Sequence, residues 1–354
     1  MSESISVIDP LQDKRWDPFV EQHAFGWLCH LSGWKRVLDA SFKHMRGHYL
    51  VLIQDGMIQA ALPLYEVRSR LTGNRLVSIP FATLSDPLVS GSDDMTRLFN
   101  AALELSKRLK IDILEIRTLS SSASVQDNRL GMANFYKHHY IMLDGPLEGI
   151  SKKFHRSCVR QRITRALNSN IELTEGDAES DPREFYKLYL VSRKRLCLPP
   201  QPYRFIYALW ETFHPEKKVS LLMARKDGAL IGSLMLFKFK DRVSAEFAVY
   251  DESYLNISPL HRMFWEAMQT AHREGYKIFD FGRTSPNNLT LMDFKNRWGA
   301  AVVDLPNYYY PRELCNRDAN QDNSLSRKVI REVCKAAPMP LYTGLGNFLY
   351  KHMS

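Results

Sequence analysis

The stretch FDFGRTSPNNLTLMDFKNRWGA, Phe279 to Ala300, sets an acid, an arginine and a lysine in one short segment. Those residue types can orient a nucleophile, bind an anion and offset developing negative charge. Direct attack in a ternary complex needs no protein nucleophile, and no GxSxG elbow is present to supply one. Asp280 is the candidate carboxylate that orients a nucleophile or a water, and Lys295 the candidate cation for an oxyanion or a phosphate. Arg283 would bind acceptor phosphate or carboxylate, Gly282 would allow close backbone approach, and Trp298 would pack on a sugar. The plainer reading is an Asp280–Arg283 structural ion pair, a bulge at Gly282 and a core Trp298.

A second concentration of charge is SKKFHRSCVRQRITRALNSN, Ser151 to Asn170, with six Lys or Arg and no acid. Read as one helix, it puts Lys152, Arg156 and Arg160 on one face and Val159, Ile163 and Ala166 or Leu167 on another. Like charges four apart repel by roughly 0.2–0.5 kcal/mol per pair, so the run invites a counter-ion, and arginine matches phosphate with a planar fork. Arg156 and Arg160 are therefore candidate donor-binding residues, against a generic basic surface helix. An R/Q-x-x-G-x-G/A pyrophosphate loop is absent, and Asn256-Ile-Ser258-Pro259 takes its place between strand and helix. Asn256 and Ser258 would then sit where backbone N–H groups meet an anion. Cys158 beside these cations is a weak thiolate candidate. His138 and His139 are adjacent, but without HExxH or a zinc quartet they read as incidental or structural, and no metal is expected. Walker A, dinucleotide, zinc-finger, homeodomain and RRM signatures are missing, which argues against specific DNA binding.

The elements that must position these residues occur twice. HYLVLIQDGMIQAALPLYEV and VSLLMARKDGALIGSLMLFKF are hairpins around Asp55-Gly56 and Asp227-Gly228. Helices follow, one with Met95, Leu98, Ala102, Leu105 and Leu109 in register, the other with Leu260, Phe264, Ala267 and Ala271. Ser258 reads as the N-cap of the second, with Pro259 at its first position. The strands IDILEIR and YKIFDF come next, so Glu115 and Arg117 mirror Asp280 and Arg283. Arg117 is either a relic of the duplicated motif or a substrate-binding second wall of the same cleft. Earlier helices are expected on Trp27, Leu31, Trp34 and Leu38, and on Phe185, Leu188, Tyr189 and Ser192. The fold class is α/β with mixed α+β sheets, as domains 10–147 and 148–310 and a partly helical tail 311–354 that PMPLYTGLG interrupts.

The 48 Lys and Arg against 39 Asp and Glu, formal charge +9, favour an anionic surface, nucleic acid or phosphorylated ligand without choosing among them. Five scattered cysteines without a CxxC pair fit a reducing compartment. With no signal-peptide pattern and no run of apolar residues long enough to span, a cytoplasmic protein that visits the inner membrane surface peripherally is expected.

The basic HRSCVRQRITRA, the SPLH helix start and GYKIFDFGRTSPNNLTLMDFKNRWGA resemble the FemAB-like branch of the acyltransferase superfamily. The closest likeness is to members associated with exopolysaccharide synthesis and PEP-CTERM sorting. It runs over roughly 15–307, with DFGR and FKxxWG its most specific parts. The resemblance implies two GNAT-like (acyl-CoA N-acyltransferase-like) domains in tandem. It also implies transfer of an acyl or aminoacyl group, from acyl-CoA or aminoacyl-tRNA, to an amine of a peptidoglycan, exopolysaccharide or other cell-envelope precursor. The expected partners are a small-molecule or lipid-linked glycan precursor and tRNA, with no tightly bound cofactor. The helical arm of tRNA-dependent relatives has no counterpart here. The competing class is a non-catalytic protein that binds a glycan precursor or acts as a scaffold.

Overall fold

Both Asp-Gly dipeptides turn tight hairpins, with φ of 49° and 82° at Asp55 and Gly56 and 51° and 79° at Asp227 and Gly228. In this computed structural model, which describes residues 3–69, 73–316 and 325–353, those hairpins anchor two units of like topology. The first half runs β1 (Glu3–Ile8), α1 (Trp16–Gln22), α2 (Ser32–Ser41), β2 (Met45–Gln54), β3 (Met57–Val67), β4 (Arg75–Val77), α3 (Ser92–Leu109), β5 (Ile113–Arg117) and β6 (Gly131–Met142). The second continues with α4 (Leu147–Lys152), α5 (Gln161–Leu167), β7 (Glu172–Gly176), α6 (Asp181–Arg195), α7 (Tyr203–Phe213), β8 (Val219–Lys226), β9 (Ala229–Phe239), β10 (Arg242–Tyr250), α8 (Pro259–Arg273), β11 (Ile278–Thr284), α9 (Leu289–Arg297) and β12 (Ala301–Tyr310). The tail adds α10 (Leu325–Ala336) and α11 (Met339–Leu349).

One compact unit takes Met1–Phe135, Asp304–Val329 and Asn347–Ser354, and the other Tyr136–Val303 and Ile330–Gly346. Strand order is β1-β2-β3-β4-β5-β12 in the first and β7-β8-β9-β10-β11-β6 in the second. In each, the fourth and fifth strands are parallel and the sixth returns antiparallel. The division differs from the 147/148 and 310/311 boundaries read from the sequence. The physical reason is the sixth strand: β6 pairs with β11 and β12 with β5, so each half of the sequence completes the sheet of the other unit.

Helix α3 buries Met95, Leu98, Ala102 and Leu105 against Leu62, Leu114 and Ile116 in the first unit. In the second, α8 buries Phe264, Ala267 and Ala271 against Leu234, Val243 and Phe279. Trp27 and Leu31 are buried as expected, but they precede α2, which starts at Ser32. Helix α6 buries Phe185, Leu188, Tyr189 and Ser192. PMPLYTGLG does not break the tail but forms most of α11, whose Tyr342 hydroxyl donates to Leu198 O at 2.6 Å. The polar run RDANQDNSLSR lies largely outside the described residues.

Candidate active site

Strand β11 puts Phe279 and Phe281 into the core and turns Asp280 the other way, as alternation requires. Its parallel ladder with β10 covers only Arg242–Ser244 against Ile278–Asp280. Each strand then bulges, β10 between Ala245 and Phe247 and β11 between Asp280 and Gly282. Gly282 has φ of 71°, a conformation open to glycine at little cost.

Two charged side chains hold this bulge. Asp280 is fully buried; its Oδ1 accepts the Gly282 N–H at 2.6 Å, and its Oδ2 accepts from Arg242 Nη1 at 2.9 Å and lies 3.3 Å from His138 Nε2. Burial pushes this carboxyl up, but His138, Arg242 and the Gly282 N–H outweigh it and hold the pKa at about 2. Lys295, also buried, donates from Nζ to Gly282 O at 3.0 Å and Arg283 O at 3.2 Å. Burial lowers its pKa to about 8, against the raising charges of Asp280 and Glu246. Helix α9 aims Lys295 there because Asn288 caps Leu291 N–H at its start and Gly299, with φ of 70°, ends it against Lys153.

Asp280 and Lys295 thus meet on opposite polar groups of Gly282 rather than in an open cleft. The side chain of Arg283 does not join them. It belongs to the strand, not to a loop, and its guanidinium lies 4.7 Å from the centre of the Tyr136 ring. The Asp280–Arg283 ion pair of the plainer reading is replaced by Asp280–Arg242. Of the two readings of Trp298 the structure has the core one, not the sugar contact: it is fully buried among Phe154, His261, Phe264, Phe281 and Phe294 and has no face for a ligand. Arg117 pairs within its own strand. In the first unit it is buried, with Nε 2.8 Å from Glu115 Oε1, which also accepts from Asn307.

The histidines read as incidental are part of this site. His138 touches Asp280, and His139 pairs across the ladder with Gly282. His139 is fully buried with neither ring nitrogen hydrogen-bonded, and burial, then the charges of Lys295 and His138, bring its pKa to about 4. Arg242 carried no signal at all, since its partners lie 38 and 104 positions away. The adjacent His-His pair was the only visible hint.

The basic segment is not one helix. Helix α4 ends at Lys152, residues 156–160 form a π-helical turn, and α5 begins at Gln161. His155 causes the break: its ring accepts the Cys158 N–H at 3.2 Å and its own N–H donates to Arg297 O at 2.8 Å. Lys152, Arg156 and Arg160 therefore share no regular face, though all three are exposed. Lys152 pairs with Glu148, while Arg156 and Arg160 have no ion pair among the described residues. The Cys158 carbonyl and the Arg162 charge act on His261, in the first turn of α8, whose pKa burial lowers to about 4. Arg165 Nη1 reaches Asn256 O at 3.5 Å. Ser258 stands at the N-cap of α8 with φ of 57° but makes no side-chain cap bond. Basic side chains thus gather beside the start of a 15-residue helix. No group of His, Cys, Asp and Glu suited to a metal occurs among the described residues, and none of their helices is long and apolar enough to cross a membrane.

Residues 153–296 match the acetyltransferase (GNAT) domain family. No curated protein matches the sequence. Among solved structures, the crystal structure of FemX is similar over 91% of this chain and 99% of its own, at 14% identity and a TM-score of 0.71. The C-terminal domain of a putative lysylphosphatidylglycerol synthetase from Agrobacterium fabrum covers 88% and 95%, at 13% identity and 0.60. A tandem GNAT protein from the clavulanic acid biosynthesis pathway covers 87% and 98%, at 12% identity and 0.56. The fold is mixed α/β and GNAT-like, with an acetyltransferase (GNAT) domain match that spans the basic segment, the start of α8 and Lys295.

Proposed function

We propose that the chain transfers an acyl or aminoacyl group to an amine of a cell-envelope precursor. The observation that carries this reading is Lys295, a buried ammonium held on the Gly282 and Arg283 carbonyls just past the last β10–β11 pair. In the reaction, the amine lone pair attacks the donor carbonyl and the π electrons move to oxygen. The oxyanion then collapses, the bond to the thiol of CoA or the ribose oxygen of tRNA breaks, and the leaving group takes up the proton that nitrogen releases. A cation fixed beside the carbonyl favours that oxyanion most where water is excluded. Asp280, saturated by three partners, keeps the bulge in shape as a positioning residue. Arg156 and Arg160, with Asn256 and Ser258 at the entry to α8, supply the contacts for a phosphorylated donor. Arg283 and Gly282 serve the acceptor, and the GNAT match favours acyl-CoA as donor.

The test is mass spectrometry of amine-bearing envelope precursors incubated with the protein and either acyl-CoA or aminoacyl-tRNA. An acylated product is expected, and Lys295→Met should reduce its formation about 100-fold while the thermal midpoint stays within a few degrees. Lack of product with every donor would leave the second reading, a ligand-binding protein, which the internal partners of Asp280 and Lys295 favour. Retained ligand binding by calorimetry would then establish it.

A further inference from the structure

The second unit carries exposed leucines strung along a single line of contacts among arginines, and the proposed chemistry uses none of them. Arg165 of α5 reaches Asn256 O, and the neighbouring Leu255 is 46% exposed. Glu252, one turn earlier, lies 3.9 Å from Arg195 at the end of α6, and Leu196 next to it is 51% exposed. Two residues on, Leu198 O accepts the Tyr342 hydroxyl of α11, beside which Leu341 is 68% exposed. Arg162 on α5 is exposed and makes no ion pair among the described residues. Of the acids on this line, Asp251 is bound to the Ser253 N–H and hydroxyl, and Glu252 faces Arg195.

Charge complementarity selects the occupant. Cations alone would fit a nucleic acid, but a single strand gains its affinity from aromatic side chains on which bases stack. The exposed large side chains here are aliphatic, while Tyr250 is half-buried with Arg195 lying 4.2 Å over its ring. Leucines bordered by the exposed Arg162 and Arg165 match an anionic bilayer, where the apolar groups enter the acyl boundary and the cations meet headgroup phosphates. We infer that this edge of the second unit docks on an anionic lipid surface. Docking there brings the start of α8 close to acceptors carried by the membrane. The inference rests on exposure and charge, and it stands or falls apart from the transfer reaction.

Co-sedimentation of the full chain with vesicles of phosphatidylcholine, with or without phosphatidylglycerol, tests it. Binding is expected only to the anionic vesicles, weakening with salt, and Leu196→Asp with Leu341→Asp should lower partitioning about tenfold. Both side chains are largely exposed, so an unchanged thermal midpoint shows that the variant is folded. Acyl transfer between soluble substrates should be unaffected. No binding to anionic vesicles overturns the inference. So does equal binding by the double variant, which would leave charge alone as the cause. Self-association lost in the variant, without vesicle binding, overturns it in favour of a second copy of the chain.

Discussion

At the residue scale, the junction around Gly282 is governed by two buried charges of opposite sign that titrate in different windows. The folded pKa of Lys295 lies near 8, below its ordinary 10.5, so between those values the unfolded chain binds the proton more tightly and stability rises with pH. Activity should move the other way there. If the ammonium stabilises the oxyanion, the rate constant should fall above about pH 8, and Lys295→Arg should shift that limb upward in a stopped-time pH profile. Asp280 behaves oppositely. Its pKa of about 2 lies below the ordinary 3.8, so its stabilisation is present above 3.8 and is lost as pH falls towards 2. Asp280→Asn leaves Arg242 without its buried counter-charge and should cost about 3 kcal/mol, measured by urea denaturation. Asp280, Gly282 and Lys295 were legible together because a strand, a turn and a short helix keep them close in sequence. Arg242 and His138 were not, because only sheet register brings them to Asp280.

At the element scale, the hairpins and the long helices followed from local chemistry: Asp-Gly turns need positive φ, and helical spacing of apolar residues gave α3, α6 and α8. The basic segment misled because its spacing is helical throughout, while the break comes from a single side chain, His155, bonding back to the backbone. Helix α11 misled because its glycines suggest a loop. Gly346 is instead a contact point: an added Cβ would stand 2.4 Å from Pro200 O and 2.7 Å from Pro200 Cγ. Gly346→Ala should therefore destabilise the chain by about 1–3 kcal/mol through displacement of α11, seen as a lowered thermal midpoint. Gly282→Ala differs in kind, since its Cβ meets nothing within 4 Å and the whole cost is the left-handed backbone.

At the scale of the whole molecule, the repeat was readable from the order of elements, but the exchange of sixth strands was not. Nothing in β6 or β12 states which parallel pair it will complete. Fragments cut at 147/148 should consequently be insoluble when expressed singly and should recover a cooperative thermal transition only when expressed together. A folded N-terminal fragment by itself would contradict the pairing of β12 with β5. The same pairing also sets a clock on synthesis. Glu115 accepts from Asn307, 192 positions further on. At roughly 5–20 residues per second, β5 waits about 10–40 s on the ribosome with one edge open before its partner strand exists. During that interval the nascent chain offers a β-edge to its neighbours on the same messenger, so the yield of this protein should depend on chaperone supply more than its finished stability would suggest.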